Sequence, residues 1–182
     1  MILGTAEAAN SFRKSYEDKS NLGIILEAAF ALPTGSLLRI VSVYYPVPLI
    51  TNGDKEAALL TSQQLQGSLI RRLREMNWSN EDPYRYIKDV LGSRVRKSSE
   101  LTVIGGDFNE TYPSARLEFI QEELGLHRAH ESMDTFATRY SGQTPGRQID
   151  HIFASVPAAG AGHIHSDTLQ ILSDHRPITA FY

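Results

Sequence analysis

The sequence predicts an α+β domain in which mixed β-sheets are flanked by helices. Its 182 residues suit one domain of ordinary size, with a core that needs no disulfide or metal to support it. Short apolar segments typical of strands outnumber the segments with helical spacing. Many neighbouring strand segments are joined by turn residues rather than by helices, which favours mixed sheets over a doubly wound parallel sheet.

The order of elements follows from apolar periodicity and from the residues that interrupt it. The predicted strands are Leu22–Leu26, Leu37–Tyr44, Leu101–Ile104, Thr135–Arg139, Gln148–Ser155, Leu169–Leu172 and Ile178–Tyr182. The predicted helices are Lys55–Met76, Tyr84–Val95 after Pro83, and Ser114–Leu124. Pro33–Gly35 has turn residues, so the first two strands should form a hairpin. Residues 1–20 are polar and weakly periodic, and no strand is expected there.

The composition excludes several classes of protein. With 41% hydrophobic and 21% charged residues, the chain is typical of globular rather than disordered proteins. No apolar stretch is long enough to span a bilayer and the start lacks a secretory signal pattern, so we expect an intracellular protein with no membrane partner. The absence of cysteine excludes disulfides, thiolate nucleophiles and cysteine-based metal sites. A net charge of −3 gives no overall positive field for binding nucleic acid.

An acidic turn follows the predicted strand Leu101–Ile104. Gly105 and Gly106 let the backbone turn sharply there, after which Asp107 and Asn109 point the same way. This pattern suits either a catalytic carboxylate with a neighbouring amide or a local Asx turn.

A second acid lies inside an apolar strand segment. In an extended strand, Asp150 shares a face with Gln148 and Ile152, while His151 points to the opposite face. An acid in such a place is costly unless it is paired with a donor or a cation. Asp150 therefore either has a partner or lies on an exposed edge strand.

A third polar group, Ser173–Pro177, lies between two apolar segments. Its adjacent Asp174 and His175 diverge, because successive side chains point in different directions. They can therefore serve a metal ion and a proton transfer separately. A charged hairpin turn is the alternative interpretation.

Taken together, four short motifs indicate a family. Tyr44–Pro46, Gly106–Asn109, Ile149–His151 and Ser173–His175 occur in the order Tyr-x-Pro, Gly-Asp-x-Asn, Ile-Asp-His and Ser-Asp-His. The chain thus resembles the endonuclease/exonuclease/phosphatase (DNase I-like) superfamily, and residues 147–152 are most similar to the endonuclease domains of non-LTR retrotransposons. The resemblance implies a four-layered α/β/β/α sandwich, with two packed mixed β-sheets flanked by helices.

The resemblance also implies roles for individual residues in hydrolysis of a phosphoester. Asp107 would orient or deprotonate the attacking water, and Asn109 would hold that water or the scissile phosphate. His175 would stabilise the developing charge on the phosphate, oriented by a hydrogen bond to Asp150 that favours the imidazolium. Tyr44 would approach the phosphate with its phenol group.

A divalent cation is a further implication of the resemblance, Mg²⁺ first and Mn²⁺ as the alternative. Asp174 would be a ligand directly or through water, with Asp107 and Asn109 as the other metal-binding candidates. Members of the family begin with a strand that carries an Asn, followed by a Gln-Glu pair whose Glu binds the metal. Residues 1–20 match this poorly, so the resemblance covers 21–182 as one N-terminally incomplete domain. It implies a truncated chain, such as part of a larger polyprotein, or loss of the N-terminal unit.

The resulting expectation is a Mg²⁺-dependent, endonuclease-like phosphodiester hydrolase with DNA as its substrate, impaired by the missing Glu. Two alternatives stay open. A phosphomonoesterase acting on a small phosphate ester would suit the net charge of −3 better. A catalytically inactive remnant that serves as a binding domain would suit the missing Gln-Glu pair.

Overall fold

A computed structural model describes residues 11–17, 20–46, 67–78, 82–95, 100–130, 137–141, 144–163 and 174–182. Its strands are β1 Phe12–Glu17, β2 Ile25–Ala31, β3 Leu37–Tyr44, β4 Leu101–Asp107, β5 His127–Arg128, β6 Tyr140–Ser141, β7 Thr144–Pro145, β8 Asp150–Ala154, β9 Gly160–His163 and β10 Ile178–Phe181. Its helices are α1 over 67–75, α2 Pro83–Val95 and α3 Ala115–Glu122.

The main sheet has six strands in the order β1-β2-β3-β4-β8-β5. Strands β3 and β4 are parallel, whereas the other neighbours are antiparallel. Two small antiparallel pairs, β9 with β10 and β6 with β7, complete the described strands. A mixed sheet with helices confirms the predicted α+β class.

One face of the main sheet carries the core, because alternate residues of each strand pack against the helices. Buried members of this core include Ile25, Val41, Val43, Ile104 and Phe153 from the strands and Leu69, Leu73, Tyr86, Ile87, Leu91, Leu117 and Ile120 from the helices. Strand β10 contacts β8, and its Ile178 lies on the other face of the sheet beside Asp107 and Asp150. None of the helices within the described ranges is long and apolar enough to cross a membrane.

The predicted hairpin of β2 and β3 is confirmed, but β2 begins later and runs further than predicted. The turn closes with a hydrogen bond from the Gly35 N–H to the carbonyl of Leu32 at 2.9 Å, with Gly35 in the left-handed region at φ 84°. The longer strand passes through Glu27, which is 2% exposed. Burial favours the protonated acid, but Arg94 and Arg39, both hydrogen-bonded to its carboxylate, outweigh this and lower the pKa of Glu27.

The expectation of no strand in residues 1–20 is wrong, because β1 pairs with β2 from Phe12 opposite Phe30 to Glu17 opposite Leu26. The pairing is supported by tertiary contacts that local sequence does not reveal. The rings of Phe12 and Phe30 meet edge to face, and the guanidinium of Arg94 lies 3.7 Å from the ring centroid of Tyr16. A polar segment suits an edge strand, where one side of the backbone faces water.

Most other predicted elements are confirmed with small shifts at their ends. The strand Leu37–Tyr44 has the predicted bounds, and the helices predicted after Pro83 and Ser114 are α2 and α3. The strands predicted over Leu169–Leu172, part of Thr135–Arg139 and most of the helix Lys55–Met76 lie outside the described residues. Residues 137–138 are not in a strand, and Arg139 makes only an isolated bridge.

Candidate active site

Three of the predicted site residues lie side by side at one end of the main sheet. Tyr44 on β3 is paired with Asp107 on β4, and Asp107 is paired with Asp150 on β8. Directly paired residues of neighbouring strands project from the same face of a sheet. The sheet therefore places a phenol and two carboxylates in one row, on the face opposite the helices.

This row exists because β4 continues through Gly105 and Gly106, where the sequence predicts that the strand ends. That prediction is wrong for a steric reason. A Cβ at residue 106 would lie 1.8 Å from the carbonyl oxygen of Val43 on the neighbouring strand. Glycine lets the two backbones approach, so pairing extends to Asp107.

The turn after β4 fixes the Asp107 carboxylate. The backbone N–H of Asn109 donates to Oδ1 of Asp107 at 2.9 Å, and Asn109 is left-handed at φ 50°. The Asn109 amide donates through Nδ2 to the carbonyl of Tyr45 at 2.7 Å, which ties the end of β4 to the end of β3. The turn is thus an Asx turn that also presents a carboxylate at the site.

Burial raises the pKa of Asp107 to about 6, with the charge of Asp150 adding to the effect and the N–H of Asn109 opposing it. Two carboxylates on adjacent strands repel each other, which is the like-charge effect expected of paired acids. A cation or a proton at this position relieves the repulsion.

Asp150 has the partner that its place in an apolar strand requires. Its Oδ2 lies 2.9 Å from Nδ1 of His175, which joins the β8 motif to the Ser-Asp-His motif. Strand β8 lies between β4 and β5, so it is not an edge strand. The hydrogen bond to Asp150 raises the pKa of His175 and favours the imidazolium. The contact that the resemblance implies is present, and its catalytic role stays a prediction.

Thr138 holds the segments that carry these two residues. Its hydroxyl oxygen accepts hydrogen bonds from the backbone N–H groups of Ile149 and Asp150, each at 3.0 Å. Its carbonyl accepts from the N–H of Arg176 at 2.8 Å. Thr138 is 1% exposed, so one buried residue sets the start of β8 and the position of the chain beside His175.

Asp174 lies at the edge of the group and is paired with an arginine. Nε of Arg139 donates to its Oδ2 at 3.1 Å, and its Oδ1 is 4.0 Å from Nε2 of His175. Arg139 is also bridged to His175 through the backbone. Asp174, which the resemblance implies as a metal ligand, is thus already paired with the positively charged guanidinium of Arg139.

A cavity of about 330 Å³ opens beside the two carboxylates. Its lining includes Asp107, Asp150, Arg176 and Ile178. Most of the exposed surface of the cavity is apolar, and its charged lining residues are Asp107, Asp150 and Arg176. Acids and an arginine in one cavity suit a ligand that combines a phosphate ester with a cation.

The described part of the site has few groups that could bind a divalent cation. Within the described residues, no three carboxylate, imidazole or thiol groups come together as a metal site. Because Asp150 is hydrogen-bonded to His175, the described carboxylates left for a cation are Asp107 and, on the adjacent segment, Asp174. Mg²⁺ is usually bound by one or two carboxylates and several waters, so this small set of oxygen donors fits it.

Sequence reasoning misses three residues that the structure brings to the site, Thr138, Arg139 and Arg176. Arg176 directly follows the Ser-Asp-His motif, and its position there is a signal that could have been used. Thr138 and Arg139 fall in a segment predicted only as a strand. Their importance comes from contacts with β8 and residues 174–176, which no local pattern reveals.

A comparison with known protein families matches most of the chain. Residues 22–175 match the Endonuclease/Exonuclease/phosphatase family. No curated protein matches the chain.

Several solved structures have a similar fold. An endonuclease/exonuclease/phosphatase family protein from Leptotrichia buccalis is 20% identical, with a TM-score of 0.54 over 86% of this chain and 51% of that one. A second, from Beutenbergia cavernae, is 17% identical, with a TM-score of 0.51 over 86% of this chain and 38% of that one. A conserved protein of unknown function from Enterococcus faecalis is 15% identical, with a TM-score of 0.50 over 86% and 54% of the two chains. The chain spans about half the length of these structures or less, and at such identities the similarity shows the fold alone.

Proposed function

The chain belongs to the endonuclease/exonuclease/phosphatase family, and from that premise we propose that it hydrolyses phosphodiester bonds of nucleic acid, with DNA as substrate and Mg²⁺ as the cation. The family indicates phosphoesterase chemistry in general. The observation that carries the proposal is the row of Asp107 and Asp150 beside the cavity, with His175 hydrogen-bonded to Asp150.

Asp107 is the proton acceptor for the attacking water in this proposal. Asp107 lines the cavity, and the N–H of Asn109 holds one of its carboxylate oxygens in place. A fixed carboxylate within reach of a water is what general base catalysis needs. Tyr44, paired with Asp107 on the adjacent strand, supplies a phenol on the same face.

His175 stabilises the charge that develops on the phosphate. Asp150 accepts the hydrogen bond of Nδ1, so Nε2 is the nitrogen directed at a substrate oxygen. The carboxylate also favours the charged form of the ring, and a cation in a partly buried site stabilises an anionic transition state more strongly than in water.

Asp107 and Asp174 would hold Mg²⁺, which supplies charge neutralisation on the phosphate oxygens and a more acidic bound water when it is present. Asp150 is committed to His175 and serves the cation only through its charge. Arg176 also lines the cavity, and its positive charge favours an anionic substrate.

Nicking of supercoiled plasmid in Mg²⁺ tests the proposal. The wild-type chain is expected to nick DNA, and EDTA is expected to stop it. The variant Asp107→Asn removes the base without changing the size of the side chain and should lower the rate at least about 100-fold. Asp89→Asn is the matched control, since it makes the same change at an exposed position on α2.

Three other results of these assays would contradict the proposed activity. Release of inorganic phosphate from p-nitrophenyl phosphate without plasmid nicking would overturn the nucleic-acid substrate and favour a phosphomonoesterase. Equal nicking by wild type and Asp107→Asn would show that the activity does not come from this site. Absence of both activities would leave a binding domain as the description.

A further inference from the structure

Arg139 lies beside the proposed site and has no part in the chemistry described above. It immediately precedes β6, and a backbone bridge pairs it with His175. Its Nε donates to Oδ2 of Asp174 at 3.1 Å. A guanidinium has five N–H donors in a rigid fork, and this bond uses one of them.

The Asp174 carboxylate lies between two basic side chains. One oxygen is 3.1 Å from Nε of Arg139, and the other is 4.0 Å from Nε2 of His175. The guanidinium and the imidazole are therefore each close to a different oxygen of the same carboxylate. A phosphate presents oxygens at similar spacing with equal or greater negative charge, so it suits the same place.

The pairing of Arg139 with Asp174 is one that a ligand can displace. Both side chains are exposed, by 43% and 56% respectively, and exposed ion pairs stabilise a fold very little. A guanidinium binds phosphate through two parallel hydrogen bonds, which are stronger than a single exposed contact. When a phosphate replaces the carboxylate, the weak ion pair that is lost is therefore outweighed by the stronger hydrogen bonds that the guanidinium makes to the phosphate.

The guanidinium is also within electrostatic range of the rest of the site. Burial raises the pKa of Asp107, and the positive charges of His175 and Arg139 act in the opposite direction. Arg139, His175 and Asp107 thus share one electrostatic environment, as expected if all three act on one substrate.

We propose that Arg139 binds a phosphate group of the substrate, and that the Asp174 carboxylate occupies its guanidinium until that phosphate arrives. The inference rests on the proposed function only in taking a phosphodiester as the ligand. It makes Asp174 an internal competitor for Arg139 when no divalent cation is present. Substitutions at the two positions are then expected to have opposite effects on binding.

Binding of a short fluorescein-labelled DNA duplex, followed by fluorescence anisotropy in EDTA, tests the proposal without turnover. Arg139→Gln should weaken binding about tenfold and reduce the slope of log Kd against log salt concentration by about one. Asp174→Asn should tighten binding, and this gain should vanish when combined with Arg139→Gln. Arg139→Lys keeps the charge but loses the fork, so it should fall between wild type and Arg139→Gln.

Two exposed residues of α2 serve as matched controls, Arg85→Gln and Asp89→Asn. They make the same charge changes on the helix-covered side of the sheet. The proposal is overturned if Arg139→Gln binds like Arg85→Gln. It is overturned equally if Asp174→Asn tightens binding no more than Asp89→Asn, or if wild type does not bind the duplex.

Plasmid nicking in Mg²⁺, measured separately on wild type, distinguishes this inference from the proposed function. Nicking by a wild type whose DNA affinity does not depend on Arg139 would remove the inference and leave the function. Arg139-dependent binding with no nicking would remove the function and leave the phosphate-binding role of Arg139.

Discussion

The carbonyl oxygen of Val43 lies 1.8 Å from the position that a Cβ on Gly106 would occupy. No side chain fits at that distance, so β3 and β4 pair here only because residue 106 is glycine. The pairing continues for one more residue, to Tyr44 and Asp107. The backbone contact thus determines where the proposed base lies.

Gly106→Ala is expected to lower the free energy of unfolding by at least about 3 kcal/mol, because the added methyl group forces the two central strands apart. Urea denaturation measures the loss. Gly105→Ala is the matched control, since the nearest atoms to its Cβ are 3.8 Å away, an ordinary contact. Its cost should stay below about 1 kcal/mol. Equal costs at the two positions would contradict the steric argument.

The Thr138 hydroxyl is expected to matter as an acceptor rather than as a small side chain. Thr138→Val keeps the shape but leaves the N–H groups of Ile149 and Asp150 without their acceptor. Buried donors without partners are costly, so the free energy of unfolding should fall by about 2 kcal/mol or more. Thr138→Ser keeps the acceptor and loses one methyl group, for about 1 kcal/mol. A serine variant as unstable as the valine variant would argue against this role.

The sequence predicts elements best where the local signals agree. Strand β3 has its predicted bounds because an almost continuous apolar run is bounded by Gly35 on one side and Pro46 on the other. The sequence does not predict strand β1 because its residues are largely polar, and only its pairing with β2 makes it a strand. The predicted end of β4 is wrong because the sequence shows two glycines but does not show that the carbonyl of Val43 requires one of them.

In the candidate site, too, local motifs predict some features and tertiary contacts determine the others. Motif order predicts which acids and which histidine to examine, and the structure brings Asp107, Asp150 and His175 together at one sheet end. The pairing of Asp174 with Arg139 joins residues 35 positions apart in the chain. Such contacts depend on the tertiary packing of segments that are distant in the sequence, and no local propensity encodes that packing.

Asp150 is expected to control the protonation of His175. The hydrogen bond that the His175 ring donates to this carboxylate is the main cause of the raised pKa of the imidazole. Asp150→Asn should therefore lower that pKa towards the ordinary value, so the ring loses its proton at lower pH than in wild type. NMR titration of the His175 ring in EDTA measures this. Asp174→Asn removes a weaker and more distant charge and should change the pKa less. The opposite ranking would contradict the assignment.

His151 lies on the buried face of the same strand as Asp150, and its pKa is shifted in the opposite direction to that of His175. It is fully buried, and its Nε2 donates to the carbonyl of Glu110 at 2.9 Å. Nδ1 has no hydrogen-bond partner among the described residues. Burial lowers the pKa of His151 to about 4 from an ordinary 6.5, with the N–H bond to Glu110 opposing it and the charge of Arg128 adding to it.

The consequence is a loss of stability in mild acid. Between pH 6.5 and about 4 the unfolded chain binds a proton at His151 that the folded chain does not, so this residue lowers the free energy of unfolding as pH falls, by about 3 kcal/mol across the window. Asp107 contributes the opposite sign over part of the same range, because its folded pKa is raised above its ordinary 3.8. The contribution of His151 is therefore measured as the difference in pH dependence of the free energy of unfolding between wild type and a His151 variant, because the wild-type curve contains both contributions.

His151→Gln keeps a donor for the Glu110 carbonyl and removes the titration. Its free energy of unfolding, from urea denaturation at a series of pH values, should fall less steeply than that of wild type as pH drops from 6.5 to 4. His127→Gln makes the same change at an exposed position on β5 and should keep the wild-type slope. If His151→Gln also keeps it, the buried imidazole is not the group that takes up the proton on acid unfolding.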